Sequence, residues 1–395
     1  MSRLLIYDTS NFKDFPIGGQ LTSISNFLRY LCEEQTERVK EILLVGVTLQ
    51  TEEVGKISRL ELYGKKISFL PVAAAEGDLG NTSRSLRLTY AKGLWKWRKK
   101  WKPTKWDCNY IHTPEAYGLV RLCSPSSPCV IFSHGSYFNM EKGFRFFQKN
   151  LLIKKGFTLY LKWLLRTADQ ILLLDKDSLR DYAPYNKNLV QVGNSVVCPQ
   201  LPEGYRRLTA GKVENLLFVG RLSKDKRVEP IIQAVTEAGQ EGLQQIQLTV
   251  VGNGEEYHRL LAYQSERIHF TGAVSPGEVR KYMEKADILV MNSAFEGVPM
   301  TILEALSLGL PVISTNVGGI GEVLRFGQDS EETDGTSEGI RQAVKRIEAF
   351  YEVYSRNAYD NSKAFDYRHV NQKVYQLLRD YWKTGTNSRN KAIDK

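Results

Sequence analysis

Residues 295–310, FEGVPMTILEALSLGL, decide how this chain is read. They follow a strand-like apolar run, ADILVM at 286–291. Glu296 precedes a Gly297-Val298-Pro299 turn, and a helical pattern starts at about Pro299. Proline is favoured at a first helical position because its missing N–H would be unpaired there anyway. A strand, a tight turn and a helix start together aim free backbone amides and the positive end of a helix dipole at the strand's end. That place suits a diphosphate. Glu296 lies before the helix and Glu304 inside it. Two carboxylates beside an anion site do not bind the anion, but they accept hydrogen bonds from sugar or ribose hydroxyls on either side of it.

Working outward, the second half of the chain alternates in the same way. Short apolar runs at 216–219, 248–251, 268–271, 288–291 and 312–314 are expected as strands, with helical patterns between them. The first half has such runs at 3–7, 42–47, 67–72, 110–112, 130–133 and 171–174. Alternating strands and helices predict parallel, doubly wound sheets. No short-period repeat is present, so two Rossmann-like domains are expected and not a solenoid. The expected boundaries are residues 1–193, closed by VQVGNSV at 190–196, then 194–366, a last helix over 367–385, and a flexible polar tail over 386–395. After the first strand, a loop ends in Gly18-Gly19 before a helix with Leu21, Ile24, Phe27, Leu28 and Leu31 at helical spacing. Glycine there would let the backbone approach a ligand closely; a plain loop pair is the other reading.

The charge is uneven. Of the net +10, residues 1–190 hold 29 Lys and Arg against 18 Asp and Glu, and the rest of the chain 25 against 26. The excess therefore lies in the first half, which is expected to meet something anionic. Residues 84–105, from Arg84 to Lys105, contain nine basic residues and no acidic one, and four of the six tryptophans lie between Trp95 and Trp106. Leu86, Tyr90, Leu94, Trp97 and Trp101 would form one face of a helix suited to a lipid headgroup region. Residues 142–166, from Lys142 to Arg166, hold seven basic residues and no acidic one, with Phe144, Phe147, Leu151, Phe157, Tyr160 and Leu164 interleaved. Lys154, Lys155 and Lys162 interrupt that pattern, so it should lie on a membrane without crossing it. Aromatics packed on the domain are the alternative for both segments. No apolar run approaches the ~18 residues of a membrane span, and the N-terminal apolar run is too short for a signal peptide. A cytoplasmic protein, peripheral on the inner face of the plasma membrane, is expected. The five cysteines form no C-x-x-C pair, which predicts reduced thiols and neither disulfides nor a zinc site.

Further residues carry chemistry. Gly220-Arg221 ends the strand 216–219, and Lys226 follows; a guanidinium and an ammonium together suit a diphosphate. Gly252-Asn253-Gly254 forms a second strand-to-helix turn, and Gly318-Gly319 follows the strand 312–314. His134, in FSHGSYF, follows the strand 130–133, and His112 ends the strand before it. The carboxyl ends of strands face the ligand crevice in open α/β sheets, and a satisfied core histidine is the alternative for each. No Asp-x-Asp is expected at a ligand-facing strand end, and no metal.

The stretch FEGVPMTILEAL-x-x-GLPVIST-x-VGG, with Val219-Gly220-Arg221-Leu222 and Lys226 upstream, resembles the retaining glycosyltransferases of family four. The resemblance is strong over the second half and weak over the first. It implies the GT-B fold, with two Rossmann-like doubly wound domains, a cleft between them and a C-terminal helix crossing back to the first. It implies transfer of a sugar from a nucleotide-sugar, UDP-linked, to an acceptor hydroxyl, without metal and with no cofactor, the nucleotide-sugar being a substrate. Arg221, Lys226 and the amides after Glu296 would hold the leaving diphosphate. Glu296 would orient sugar hydroxyls, Glu304 the ribose, and His134 would contact the sugar. Gly220, Gly252, Asn253, Gly254, Gly297, Val298, Pro299, Met300 and Thr301 would complete the donor site. Gly18, Gly19 and His112 would face the acceptor. Arg227 stands where the family often has glycine. The basic segments point the acceptor reading to a polyprenyl-diphosphate-linked glycan in capsule, exopolysaccharide or O-antigen assembly. Two other readings are a GT-B enzyme on a soluble substrate, such as a nucleotide-sugar epimerase, and a basic nucleic-acid binder. The first needs no membrane surface. The second is disfavoured because the charge sits in two segments and no nucleic-acid motif is present.

Overall fold

A computed structural model gives the fold, and it describes residues 3–13, 19–34, 39–75, 86–139, 151–201, 203–209, 211–238, 243 and 245–384. The chain divides into two compact units, residues 1–193 with 371–395, and residues 194–370.

The first unit is built on β1 (Arg3–Tyr7), α1 (Gly19–Glu33), β2 (Glu41–Thr48), β3 (Ser58–Leu62), β4 (Lys65–Ala74), α2 (Leu86–Lys96), α3 (Arg98–Trp101), β5 (Cys108–Ile111), α4 (Pro114–Cys123), β6 (Cys129–Ser133), α5 (Leu151–Thr167), β7 (Gln170–Leu173), α6 (Lys176–Tyr182) and β8 (Leu189–Gln191). Its eight strands run in the order β3-β4-β2-β1-β5-β6-β7-β8. Every described pairing is parallel except β3 with β4. Strands β5, β6 and β7 are buried at every position, which requires cover on both faces and explains their largely apolar sequences; the buried Asn109 in β5 is satisfied by Ser127 and Pro128 O.

The antiparallel β3 was not expected. It folds back through Tyr63-Gly64, both left-handed at φ 50° and 72°, as a two-residue hairpin turn demands. Tyr at the first of those positions hides the signal, since Asn or Asp usually stands there.

The second unit comprises β9 (Asn215–Val219), α7 (Glu229–Glu237), β10 (Gln247–Val251), α8 (Tyr257–Leu260), β11 (Ile268–Gly272), α9 (Pro276–Lys285), β12 (Ile288–Met291), α10 (Met300–Ser307), β13 (Val312–Ser314), β14 (Ser330–Glu332), α11 (Ser337–Ala349), α12 (Tyr351–Ser362) and the start of α13 (Tyr367–Thr384). Its sheet order is β11-β10-β9-β12-β13-β14, parallel throughout. Strand order reverses between β9 and β12, and in the first unit between β1 and β5. These are the switch points at whose carboxyl ends ligands bind in open α/β sheets. The later part of α13 belongs to the first unit. There Tyr381 donates to Asp169 O at 2.9 Å and Lys373 Nζ to Gln191 O at 2.9 Å.

The basic segments differ from the expectation. Residues 84–105 are not one helix: α2 ends at Lys96 and α3 starts at Arg98. The apolar face expected to meet lipid is largely core. Tyr90, Leu94 and Trp101 are buried, Tyr90 Oη donates to Val45 O at 2.8 Å, and Trp101 Nε1 donates to Leu94 O at 2.9 Å. In α5, Leu161, Leu164 and Leu165 face the core, while Leu159 and Trp163 are exposed. Residues 84–85 and 142–150, with Phe144 and Phe147, lie outside the described residues, as do Gly18 and the tail 386–395. Among the described residues no helix is long and apolar enough to cross a membrane.

Candidate active site

In the second unit, the loops after β9 and β12 flank the switch point. Each is shaped by a glycine pair on the neighbouring strand's loop. A Cβ on Gly252 would stand 1.9 Å from Gly220 O, and one on Gly254 2.3 Å from Leu222 O. The backbone pairs across this contact, Leu222 N donating to Asn253 O at 2.9 Å. Gly252 and Gly254 thus let two loops touch, which accounts for them without any ligand. Asn253 is exposed, and its Oδ1 accepts from Gly254 N at 2.7 Å. Gly318 and Gly319 do the same for the loop after β12. A Cβ on Gly318 would lie 1.8 Å from Glu296 O, and Gly319 N donates to Gly297 O at 3.0 Å. A Cβ on Gly297 would meet nothing within 4 Å.

This scaffold joins two residues that are 70 positions apart. Lys226 Nζ pairs with Glu296 Oε1, which also accepts from Ser293 Oγ at 2.7 Å. Both partners of the ion pair are mostly buried. Glu296 Oε2 has no hydrogen bond among the described residues. Ala294 N donates to Asp225 O at 2.7 Å, tying the two loops together. Arg221 is exposed, its carbonyl accepts from Ser223 N at 3.0 Å, and its guanidinium makes no hydrogen bond or ion pair among the described residues. Burial, the largest single effect, raises the neighbouring Asp225 carboxyl, but the charge of Lys226 and, to a smaller extent, that of Arg221 help hold it below its ordinary range.

Arg227 solves the problem posed by its position. Its backbone is left-handed, φ 44° and ψ 52°, where glycine would be unstrained. Its guanidinium reaches Asn292 O at 2.9 Å and Ser293 O at 3.0 Å, and Asn292 Nδ2 returns a bond to Arg227 O at 3.0 Å. The side chain therefore clamps the start of the Glu296 loop.

Pro299 is the residue before α10, not its first turn. Its ψ of 127° is extended, and the helix runs Met300–Ser307. Ile302 N reaches Pro299 O at 3.2 Å. The amides of Gly297, Val298, Met300 and Thr301 have no hydrogen-bond partner among the described residues, so unpaired donors cluster at the helix start. Asn194, the first residue of this unit, fixes the turn by donating Nδ2 to Val298 O at 2.9 Å. One turn inside α10, the Glu304 carboxyl is largely buried and has no partner among the described residues. Burial pushes it up to about 7.

In the first unit, the residues at the switch point are Asp8 after β1 and His112 after β5. His112 is buried, one residue beyond its strand rather than in it, and its Nδ1 lies 2.8 Å from His134 Nε2. It is therefore closed off from the surface that the sequence reading gave it. His134 is partly buried, and burial pushes its imidazole down to about 3, so it is neutral at ordinary pH. His112 is lowered well below its usual value, by burial first and then by His134. Gly19 is the first residue of α1. Asp8 is fully buried, and burial raises it to about 6 against the bonds it accepts from Ser10. Gln20 Nε2 joins Asp8 to His112 O. Sequence reading did not single out Asp8, although its place at the end of the first strand was visible. It also missed Asp175-Lys176-Asp177, an Asp-x-Asp one residue beyond the end of β7. Asp175 caps α6 through Ser178 N at 2.6 Å and Asp177 pairs with Arg180, so helix-capping explains both. Among the described residues, no group of three or more His, Cys, Asp or Glu is gathered as a metal site.

Residues 213–349, most of the second unit, match the family described as glycosyl transferases group 1. The chain is 29% identical over 251 residues to the O-antigen biosynthesis glycosyltransferase WbnH of Escherichia coli, covering 62% of this chain and 68% of that protein. It is similar in structure to a sucrose-phosphate synthase from Thermosynechococcus elongatus, with a TM-score of 0.76 at 14% identity over 97% of this chain and all of that one. It is also similar to Anabaena HepE in complex with UDP-glucose, with a TM-score of 0.66 at 16% identity over 96% of this chain and all of that one.

Proposed function

We propose, from the premise that this chain belongs to the group 1 glycosyl transferases and has the GT-B fold, that it moves a hexose from a nucleotide-sugar to an acceptor hydroxyl with retention of configuration. The observation that carries the donor reading is the second unit's switch point: an exposed Arg221, the Lys226–Glu296 pair and four unpartnered amides at the start of α10, with Glu304 buried and unpaired behind them. These are the groups a nucleoside diphosphate-sugar satisfies. Its diphosphate takes the amides, Arg221 and Lys226. Its ribose hydroxyls give Glu304 the hydrogen bonds it lacks, and the sugar hydroxyls use the free oxygen of Glu296. The relative named for a UDP-glucose complex supports a UDP-linked donor.

Bond breaking from sugar to phosphate leaves an oxocarbenium-like sugar and a more negative diphosphate. Arg221, Lys226 and the amides stabilise that developing charge, which is the work a metal does in other transferases. The leaving phosphate oxygen takes the acceptor proton as the acceptor attacks from the same face, so no protein general base is assigned. Retention follows from that geometry.

The acceptor reading is a polyprenyl-diphosphate-linked glycan at the inner face of the plasma membrane, in surface polysaccharide synthesis. The O-antigen enzyme among the relatives supports the pathway class. The exposed Leu88, Trp95, Leu159 and Trp163, set among the lysines and arginines of α2 and α5, support contact with anionic lipid.

The test is a panel of nucleotide-sugars incubated in EDTA with and without membrane lipid extract, counting released nucleotide. Release from one donor that depends on lipid and is lost in Glu296→Ala and Lys226→Ala supports the reading. Loss of release in EDTA refutes metal independence, and lipid-independent release refutes the lipid-linked acceptor.

A further inference from the structure

The two histidines at the carboxyl ends of β5 and β6 share one short N···N contact, 2.8 Å between His112 Nδ1 and His134 Nε2. Burial keeps both rings neutral. A contact of that length between neutral imidazoles holds a single proton, and there are two ways to place it. With the proton on His134 Nε2, the His112 proton must sit on its own Nε2. That atom is fully buried without a partner, beneath the stacked ring of Phe132 and the edge of Tyr110, so an N–H would be stranded there. With the proton on His112 Nδ1, the buried Nε2 is a bare acceptor and no donor is stranded. Orphaned buried N–H groups are rarer in folded proteins than under-satisfied acceptors.

We propose that His112 is a positioning residue that donates from Nδ1 to His134 Nε2, and so fixes His134 as the tautomer protonated at Nδ1. His134 Nδ1 has no partner among the described residues and is not sealed from solvent. It is then a hydrogen-bond donor, and His134 has no free lone pair with which to act as a base. The backbone holds this donor in place. Ser133 Oγ donates to Gly135 O at 2.7 Å, and Tyr137 N donates to Tyr182 Oη at 2.6 Å. Gly135, at φ 138°, makes the turn that a side chain would strain. The ligand class such a donor suits is a hydroxyl or phosphate oxygen of a substrate. This deepens the glycosyltransferase reading and rests on it for the ligand, though not for the tautomer.

The experiment labels the full chain with 15N-histidine and reads long-range 1H–15N correlations at neutral pH. His134 is assigned from the spectrum of His134→Gln. The expected result is a protonated Nδ1 and a bare Nε2 on His134 in the wild type. His112→Asn, whose amide can replace the donor, should keep that pattern. His112→Leu should release His134 to the other tautomer. With the donor identified by the screen above, His112→Leu should lower kcat about tenfold or more with a smaller change in donor KM, and His112→Asn should restore most of it. A protonated Nε2 on wild-type His134, or equal losses in the Asn and Leu variants, overturns the inference. Because the tautomer is read without substrate, a protein that turns over no donor would overturn the transfer reading and leave this one standing.

Discussion

Replacing Glu304 by Gln tests the donor site through stability, before any substrate is known. Burial raises the carboxyl from its ordinary 4.5 to about 7, and no partner offsets this. The ionised form is therefore disfavoured in the folded state. Stability is fullest below pH ~4.5, where the side chain is neutral whether the chain is folded or not. It falls as pH rises, and the full cost is reached above pH ~7. At about 1.36 kcal/mol per tenfold, the cost is about 1 kcal/mol at pH 5 and about 3 kcal/mol at pH 8. Gln meets the same surroundings as the protonated acid but never ionises. Glu304→Gln should thus be more stable than wild type by those amounts. For a unit of this size each kcal/mol moves Tm by ~2–4 °C, so the gap should widen by roughly 4–8 °C between pH 5 and pH 8. Differential scanning fluorimetry at the two pH values reads it directly. An equal gap at both pH values would refute the claim that an unpaired carboxyl is buried there.

The same substitution predicts the opposite for ligand. Ribose hydroxyls that donate to Glu304 favour its ionised form, so binding below pH 7 must first remove a proton. Donor affinity in wild type should rise about tenfold from pH 6 to pH 8, and in Glu304→Gln it should be weaker and nearly flat. A variant that is stabler and binds worse is the signature of a residue kept for a ligand at a cost to the fold.

Lys226→Ala should lower kcat by roughly 10²–10³, the scale of losing one charge-stabilising donor, with wild-type rates recovered by no divalent cation tested. Gly318→Ala should destabilise the second unit by roughly 3–5 kcal/mol in urea unfolding, because its φ is 57° and a methyl would stand 1.8 Å from Glu296 O, whereas Gly297→Ala, with open space around it, should leave stability unchanged and weaken donor binding. Arg227→Ala should cost about 2 kcal/mol by freeing the carbonyls of Asn292 and Ser293, and Arg227→Gly about 1 kcal/mol less, since glycine relieves the left-handed backbone. Trp95→Ala with Trp163→Ala should weaken sedimentation with anionic vesicles roughly tenfold and leave the melting temperature within a few degrees.

The fold was legible because parallel strands buried on both faces must be apolar throughout, and both sheets announce themselves by such runs. The exceptions mark where that rule does not apply. Strand β3 is half exposed at an edge, and β14, Ser330–Glu332, carries no apolar residue. The glycine-shaped loops after β9 and β12 were legible for another reason. Glycines at which an added Cβ would stand less than 2 Å from a neighbouring carbonyl oxygen cannot be replaced cheaply, so the motif carries its own geometry.

What the sequence concealed is the pairing of side chains. Nothing at position 226 signals that its ammonium meets Glu296, and nothing in Arg227 signals a clamp in place of an absent glycine. The tryptophan-rich segment misled for a related reason. Helical spacing identifies an apolar face without saying what covers it, and Tyr90, Leu94 and Trp101 are covered by the protein's own core. The residues left outside that core, Leu88 and Trp95, occur among the same lysines but away from the face the periodicity selected. A membrane reading that rests on the stripe therefore has to move to these exposed positions, where a double substitution changes vesicle binding without touching the core and so separates the two accounts of the same segment.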